Sequence, residues 1–215
     1  MNIRTFLIIF GCLPLVACSG NSSSSYEKKT KNHNNYSSDL SNDNLDKVYF
    51  AGGCFWGVEA YFEQIPGVHE TSSGYANGTG TNPTYTDVIQ GDEGFVETVE
   101  VIYDADEVGL NELLAYFFAV IDPTIKDQQG NDVGVQYRTG VYYVDKEEKA
   151  LIQKAFNQEQ EKYDEQIVTE LLPLDNYYLA EEEHQDYLAK NPNGYCHIDL
   201  NILDDSNIDE HIYEN

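Results

Sequence analysis

The chain has 215 residues, with 12 Lys and Arg against 38 Asp and Glu, a formal net charge of −26. That balance excludes a nucleic-acid binder working through a basic surface, and it excludes a polybasic membrane patch, because both draw on Lys and Arg. An apolar fraction of 41% with 13% aromatics supplies a packed core, so the chain is not disordered throughout, and its length suits one domain with appendages.

In chain order, the first predicted element is an export signal. Asn2-Ile3-Arg4-Thr5 precedes a mostly apolar run from Phe6 to Ala17. One Arg, a short hydrophobic stretch and a small-residue exit describe residues 1–17 as a signal peptide, since the run is too short to cross ~30 Å of hydrocarbon. Its end, Leu15-Val16-Ala17-Cys18, resembles a bacterial lipobox. The resemblance implies cleavage before Cys18 and lipid on that residue, hence an exported, membrane-anchored lipoprotein of a bacterial cell envelope. Of the four cysteines (12, 18, 54 and 196), Cys12 is then discarded and Cys18 acylated, leaving Cys54 and Cys196 as the thiols of the mature chain. The single methionine, Met1, leaves with the signal. Residues 18–46 are rich in Ser and Asn and carry no hydrophobic period, as a flexible tether does.

From Lys47 the texture changes, and residues 47–200 read as the folded domain. Val48 to Ala51 is a short buried strand ending at Gly52-Gly53. Cys54 to Gln64 is a predicted helix, with Phe55, Val58, Tyr61, Phe62 and Ile65 at helical spacing before Pro66-Gly67. Val68 to Tyr75 is a second strand, Asn77 to Pro83 a loop, and Val96 to Tyr103 an alternating strand. Leu110, Leu113, Leu114, Phe117, Phe118 and Ile121 mark an amphipathic helix. Asp122 to Gln136 is irregular, and Val141 to Val144 is a strand. Asp145 is expected to cap the next helix, with Glu148 completing a capping box. Val168 to Leu172 reads as a strand and Glu181 to Lys190 as a short helix, with Glu181, Glu182 and Glu183 on a solvated face. Residues 201–215 form an acidic tail, expected to be loose. Interleaved strands and helices in similar number give an α/β or α+β sandwich.

Gly52-Gly53-Cys54-Phe55-Trp56-Gly57 puts a cysteine at a strand-to-helix junction. A helix N-terminus carries roughly half a positive charge and free N–H groups, which favour thiolate, so the position suits a nucleophile; the alternative is a buried structural thiol. Phe55 and Trp56 either join the core or wall an apolar pocket beside that thiol. In the strand at 96–103, Glu97 shares a face with Val99, Val101 and Tyr103 by the period of two. Burial without a cation raises a carboxyl pKa, which suits a general acid; the alternative is a salt-bridged core carboxylate. Tyr85, after Asn82-Pro83-Thr84, and Asp132 and Tyr137, flanking residues 133–136, add neutral and charged polar groups in loops.

Gly53-Cys54-Phe55-Trp56-Gly57 resembles the signature of the A-type peptide methionine sulfoxide reductases. The resemblance continues through Pro66-Gly67-Val68, Gly74-Tyr75, Asn82-Pro83-Thr84-Tyr85, Gln129-Gly130-Asn131-Asp132 and Gln136-Tyr137-Arg138. It ends with Ala180-Glu181, His184-Gln185 and Asn191-Pro192-Asn193-Gly194-Tyr195-Cys196. It implies a two-layer sandwich with a mixed sheet and a ferredoxin-like core. It further implies that Cys54 attacks the sulfoxide sulfur, that Phe55 and Trp56 hold the S-methyl group, and that Glu97 protonates the oxygen. Tyr85 and Tyr137 then hydrogen-bond that oxygen, with Asp132 acting through water. Cys54 is left as sulfenic acid, Cys196 closes a disulfide with it, and an external thioredoxin-like dithiol reduces the bridge. Substrates would be oxidised proteins and free methionine sulfoxide, with no bound cofactor, no metal and a monomeric chain.

Three departures from that pattern stand out. Gly94-Phe95-Val96 replaces the frequent Gly-His-Ala ahead of Glu97. No cysteine follows Cys196, so a reductant would act directly on the Cys54–Cys196 pair. Because the tail differs, the reach of Cys196 to Cys54 is open, and a static structural disulfide is the alternative. Glu181-x-x-His184 has the spacing of a metal-binding helix face but occurs once. The competing functions are a Cys-dependent acyl transferase using His184 or His197 as base, and a non-catalytic acidic binding module.

Overall fold

The structure is a computed structural model and describes residues 45–201; the signal, Cys18, nearly all of the tether and the acidic tail beyond residue 201 lie outside the described residues. The first strand, β1 (Leu45–Gly52), starts two residues inside the segment expected to be tether. Its outer end is drawn into the sheet by pairing with the third strand.

The remaining strands are β2 (Val68–Ala76), β3 (Val96–Asp104), β4 (Gln128–Gln129), β5 (Asp132–Val133), β6 (Thr139–Tyr143), β7 (Glu170–Pro173) and β8 (Tyr177–Leu179). Six of them form one sheet in the order β7-β6-β1-β3-β2-β8, and β4 and β5 form a separate small hairpin. β1 runs antiparallel to both β3 and β6, and β2 antiparallel to β3 and β8, whereas β6 and β7 are parallel. The chain is therefore an α+β sandwich with a mixed sheet, as the interleaved elements lead one to expect. Register puts Phe50 opposite Val99 and Val141, and Tyr75 opposite Glu97.

One face of the sheet carries α1 (Phe55–Phe62) and α3 (Leu110–Ala119). Phe50 stacks on Phe62 at 4.6 Å and on Phe117 at 4.9 Å between ring centroids. Phe118 meets Phe156 of α4 (Glu148–Gln160) edge-on at 5.1 Å. The apolar side chains at helical spacing in residues 55–65 and 110–121 are all buried in this layer. Burial of such rings contributes about 1.5–3 kcal/mol each against the entropy of ordering them.

The opposite face is also buried. Tyr49, Ala51, Ala76, Val96 and Tyr142 form a second cluster under Leu174 and Tyr177, with Tyr177 donating to the Ser72 carbonyl at 2.8 Å. β3 is consequently buried along both faces up to Tyr103, and Glu100 survives there because Tyr49 donates to it and Lys47 lies 3.8 Å away.

The expectations for α4, β6, β7 and residues 181–190 need correction, and one short helix carries no expectation at all. A six-residue helix, α2 (Tyr85–Gln90), follows the 77–83 loop; Thr84 and Asp87 form its capping box, a Thr-x-x-Asp signal readable in the sequence. α4 starts at Glu148, not after Asp145. Asp145 accepts from the Glu147 N–H at 3.0 Å and only the return bond from the Asp145 N–H to Glu148 is made, so the expected box is a turn preceding the helix. β6 ends at Tyr143 and β7 begins at Glu170, which leaves Val144 and Val168 exposed outside the strands. The helix expected over Glu181 to Lys190 is confined to α5 (Tyr187–Lys190), because the residues ahead of it turn their polar groups inward.

Candidate active site

β1 delivers the chain to Gly52, and Gly53 turns it at φ +87°. That left-handed conformation belongs to glycine, and a Cβ there would lie 2.6 Å from the Gln129 side chain. The turn places Cys54 at the N-cap of α1 in extended conformation. Cys54 is 6% exposed, and the N–H groups of Trp56 and Gly57 face the sulfur.

Glu97 enters the same point from β3. Its carboxylate accepts the Phe55 N–H at 3.1 Å, so the first free N–H of α1 is spent on the acid, while those of Trp56 and Gly57 face the thiol and the latter also bonds the Cys54 carbonyl at 3.3 Å. Glu97 is 1% exposed, on the helix-covered face, as its alternation with Val99 and Val101 leads one to expect, and the described residues give it no cation. Burial pushes its carboxyl up to about 8, the Phe55 N–H opposes the rise, and the Asp132 charge adds to it. The thiol departs from expectation. Burial, Glu97 and Asp132 push Cys54 up by more than the Trp56 and Gly57 N–H groups pull it down, so the resting group is the thiol, not the thiolate. Both groups thus hold their protons at neutral pH.

Asp132 lies in β5, and its charge is felt by Cys54, Glu97, Tyr85, Tyr137 and Cys196. The phenols of Tyr85 and Tyr137 face each other, and burial first, then Glu97, raises both. They are neutral donors beside a protonated acid. Tyr137 closes a 3-10 turn (Val135–Tyr137) that Arg138 ties down, through bonds to the carbonyls of Val135 (3.0 Å) and Gly94 (3.1 Å) and to Glu170 (3.0 Å).

Trp56 and Phe55 form an aromatic wall with residues the sequence did not mark for it. Trp56 stacks on Tyr187 at 3.7 Å, and its indole N–H donates to His184 Nδ1 at 3.2 Å. His184 is buried among Phe55, Trp56 and Tyr85. Glu181, expected on a solvated face, instead accepts from the Tyr75 hydroxyl at 2.7 Å and the Tyr85 N–H at 2.8 Å. Burial raises its carboxyl, but those donors outweigh it and hold the group below the usual carboxylate range. Gln185 is fixed to Ser73 by two bonds of 2.9 Å, which pins the turn to β2. Glu181 and His184 are thereby committed to Tyr85, Tyr75 and Trp56, and among the described residues no group of three His, Cys, Asp or Glu converges on one point. Glu59 was also missed: it is 2% exposed on the buried side of α1, accepts the Asp186 N–H at 2.9 Å, and burial and the Asp186 charge push it up to about 8.

Cys196 comes in from the chain after α5 and lies on the first turn of α1. A Cβ on Gly57 would be 3.0 Å from its sulfur, so the glycine is what admits it. Both Cys54 and Cys196 are free thiols. Phe95, at the first of the departures noted in the sequence, is buried in the same cluster as Phe55, packing edge-on against Tyr178 at 5.9 Å and over Gly78.

Residues 46–215 match the protein family described as peptide methionine sulfoxide reductase. The chain is 54% identical over 159 residues to the peptide methionine sulfoxide reductase MsrA of Clostridium acetobutylicum, covering 74% of this chain and 98% of that protein. It is 55% identical over 154 residues to MsrA of Mycoplasma pneumoniae, covering 72% and 98%. Among solved structures, Mxr1 from Saccharomyces cerevisiae in reduced form matches with a TM-score of 0.69 at 35% identity, over 71% of this chain and 89% of that one. Methionine sulfoxide reductase A of Corynebacterium diphtheriae matches with a TM-score of 0.65 at 38% identity, over 73% and 79%.

Proposed function

The chain belongs to the peptide methionine sulfoxide reductase family, and on that premise we propose that it reduces the S epimer of methionine sulfoxide, free and in oxidised proteins, through Cys54. The observation that carries the reading is the shared seat of thiol and acid: Cys54 is the N-cap of α1, and the first N–H of that helix, from Phe55, is bonded to Glu97 at 3.1 Å.

The reaction follows from those positions. Phe55, Trp56 and Tyr187 receive the S-methyl group on apolar faces. The Cys54 sulfur attacks the sulfoxide sulfur as Glu97 gives its proton to the oxygen, and Glu97 regains a proton from the thiol. A neutral acid and the phenols of Tyr85 and Tyr137 stabilise the negative charge growing on oxygen. Asp132 orders a water in the same site. Methionine leaves, and the oxygen remains on Cys54 as sulfenic acid. Cys196 attacks that sulfur, the S–S bond forms, and the hydroxyl departs with the Cys196 proton as water. An external dithiol of the thioredoxin type then reduces the bridge and restores both thiols.

The acyl-transfer alternative needs an imidazole beside Cys54. His184 Nδ1 is taken by the Trp56 indole and His197 is bonded to the Gly52 carbonyl, while the group brought to the thiol is a carboxyl. Incubation with racemic methionine sulfoxide and dithiothreitol tests the reading by chiral chromatography. Consumption of the S epimer alone is expected; no consumption, or equal consumption of both epimers, refutes it.

We also propose export and anchoring through Cys18, from the Leu15-Val16-Ala17-Cys18 run at the end of a short apolar stretch. Palmitate labelling in a bacterial host should mark the parent chain and not Cys18→Ala; label retained in that variant removes the anchor.

A further inference from the structure

Residues 195–198 carry Cys196 with no helix or strand to place it. The Cys196 thiol donates to the Ile198 carbonyl of its own segment at 3.2 Å, so side chains tie that segment to the rest of the fold. Ile198 is buried, and a Cβ on Gly57 would lie 3.4 Å from it, so it anchors the segment on the apolar side. Tyr195 lies on the outer side, its phenol facing Asp132 and the Asn131 N–H.

His197 supplies the contact closest in sequence to the nucleophile. Its Nε2 is 2.9 Å from the Gly52 carbonyl. A carbonyl only accepts, so Nε2 carries the proton and Nδ1 is the unprotonated nitrogen of a neutral ring. The ring is wedged between two glycines. A Cβ on Gly53 would lie 3.1 Å from Nε2, and one on Gly130 would lie 2.9 Å from the His197 Cβ. Nδ1 is buried and has no hydrogen-bond partner in the protein. A hydrocarbon ring would fill this slot without leaving a buried acceptor unsatisfied, so the imidazole is explained by its one donated bond. Burial lowers the pKa of this ring, which keeps it neutral and the tautomer fixed at neutral pH.

We infer that His197 is a positioning residue for disulfide closure: its bond to the Gly52 carbonyl ties the segment bearing Cys196 to the backbone two residues ahead of Cys54. The step it serves forms the S–S bond, breaks the S–O bond of the Cys54 sulfenic acid, and releases water carrying the Cys196 proton. The inference rests on the reading of Cys196 as the thiol that closes the bridge.

Single-turnover quench of the full chain with methionine-S-sulfoxide separates the steps, reading methionine release and Cys54–Cys196 closure independently. His197→Phe fills the slot without a donor, and His197→Gln returns an N–H at the reach of Nε2. Both should release methionine within about twofold of the parent, which also shows that the site is folded, and His197→Phe should slow closure by about five- to tenfold, as loss of one hydrogen bond implies. His197→Gln should recover most of that rate. Closure in His197→Phe at the parent rate, with closure abolished in Cys196→Ser, overturns the role of His197 alone. A parent-like disulfide at Cys54 in Cys196→Ser overturns the reading of Cys196, and the inference with it.

Discussion

Cys54→Ser is expected to abolish methionine formation, with at least about a 10³-fold loss, or ~4 kcal/mol in the barrier. The substitution changes the chemistry and leaves the geometry fixed. Serine is close to isosteric, and the N-cap turn is set by Gly53 at φ +87° and by the pairing of β1, not by the sulfur. The Trp56 and Gly57 N–H groups that face the sulfur will accept a hydroxyl oxygen. The hydroxyl is a far weaker nucleophile at sulfur, and the sulfenic acid and disulfide that follow cannot form without a thiol. Melting curves and quenched single turnovers, measured together, check this: an unchanged fold with no methionine is the expected pair of results.

Glu97→Gln comes second in size. The amide carbonyl still accepts the Phe55 N–H, so the helix N-terminus keeps its partner. What disappears is the proton. A positioned general acid contributes about 10²–10⁴-fold, and a loss of that order is expected in the rate of methionine release. The pH dependence carries the same signature. The carboxyl is active when protonated, and burial holds it at about 8, so the rate should be full at neutral pH and fall as pH rises through about 8. Glu97→Gln should show no falling limb there. A parent rate that rises steadily from pH 7 to 9 would assign the limiting proton to the thiol and not to Glu97. Gln in place of an ionised carboxylate would show the opposite behaviour, with little loss of rate.

Much of this was legible in local sequence, and the rest depended on distant contacts. A cysteine after two glycines, between a short apolar strand and a helical period, put Cys54 at a helix N-terminus. The period of two put Glu97 on the helix-covered face. The protonation state of Cys54 was not legible. The N-terminal N–H groups are a local property, but the burial and carboxyls that outweigh them come from β3 and β5, some 40 and 80 residues away in sequence. The turn over residues 181–186 misled for the same reason. Three glutamates in a row look solvated, yet the Tyr75 hydroxyl and Tyr85 N–H draw the first of them inward. β3 reads as half-buried because nothing local announces that Leu174 and Tyr177 cover its other face. α2 was readable from Thr84 and Asp87 but is only six residues long, too short for a hydrophobic period to mark it.

In the proposed cycle the oxidising equivalent rests on the Cys54–Cys196 pair until a dithiol reaches it, and Cys196 is the more exposed of the two residues. The incoming thiolate is therefore expected at Cys196, which releases Cys54 as the leaving group into the N–H groups of Trp56 and Gly57.

The most direct test of the account uses the reduced full chain, one equivalent of methionine-S-sulfoxide and no other reductant. The account predicts one methionine per chain and the disappearance of both thiols from alkylation. Peptide mapping should find Cys54 joined to Cys196 in a chain lighter by a pair of hydrogens. Methionine formed while Cys54 remains fully alkylatable, or formed equally by Cys54→Ser, would contradict it.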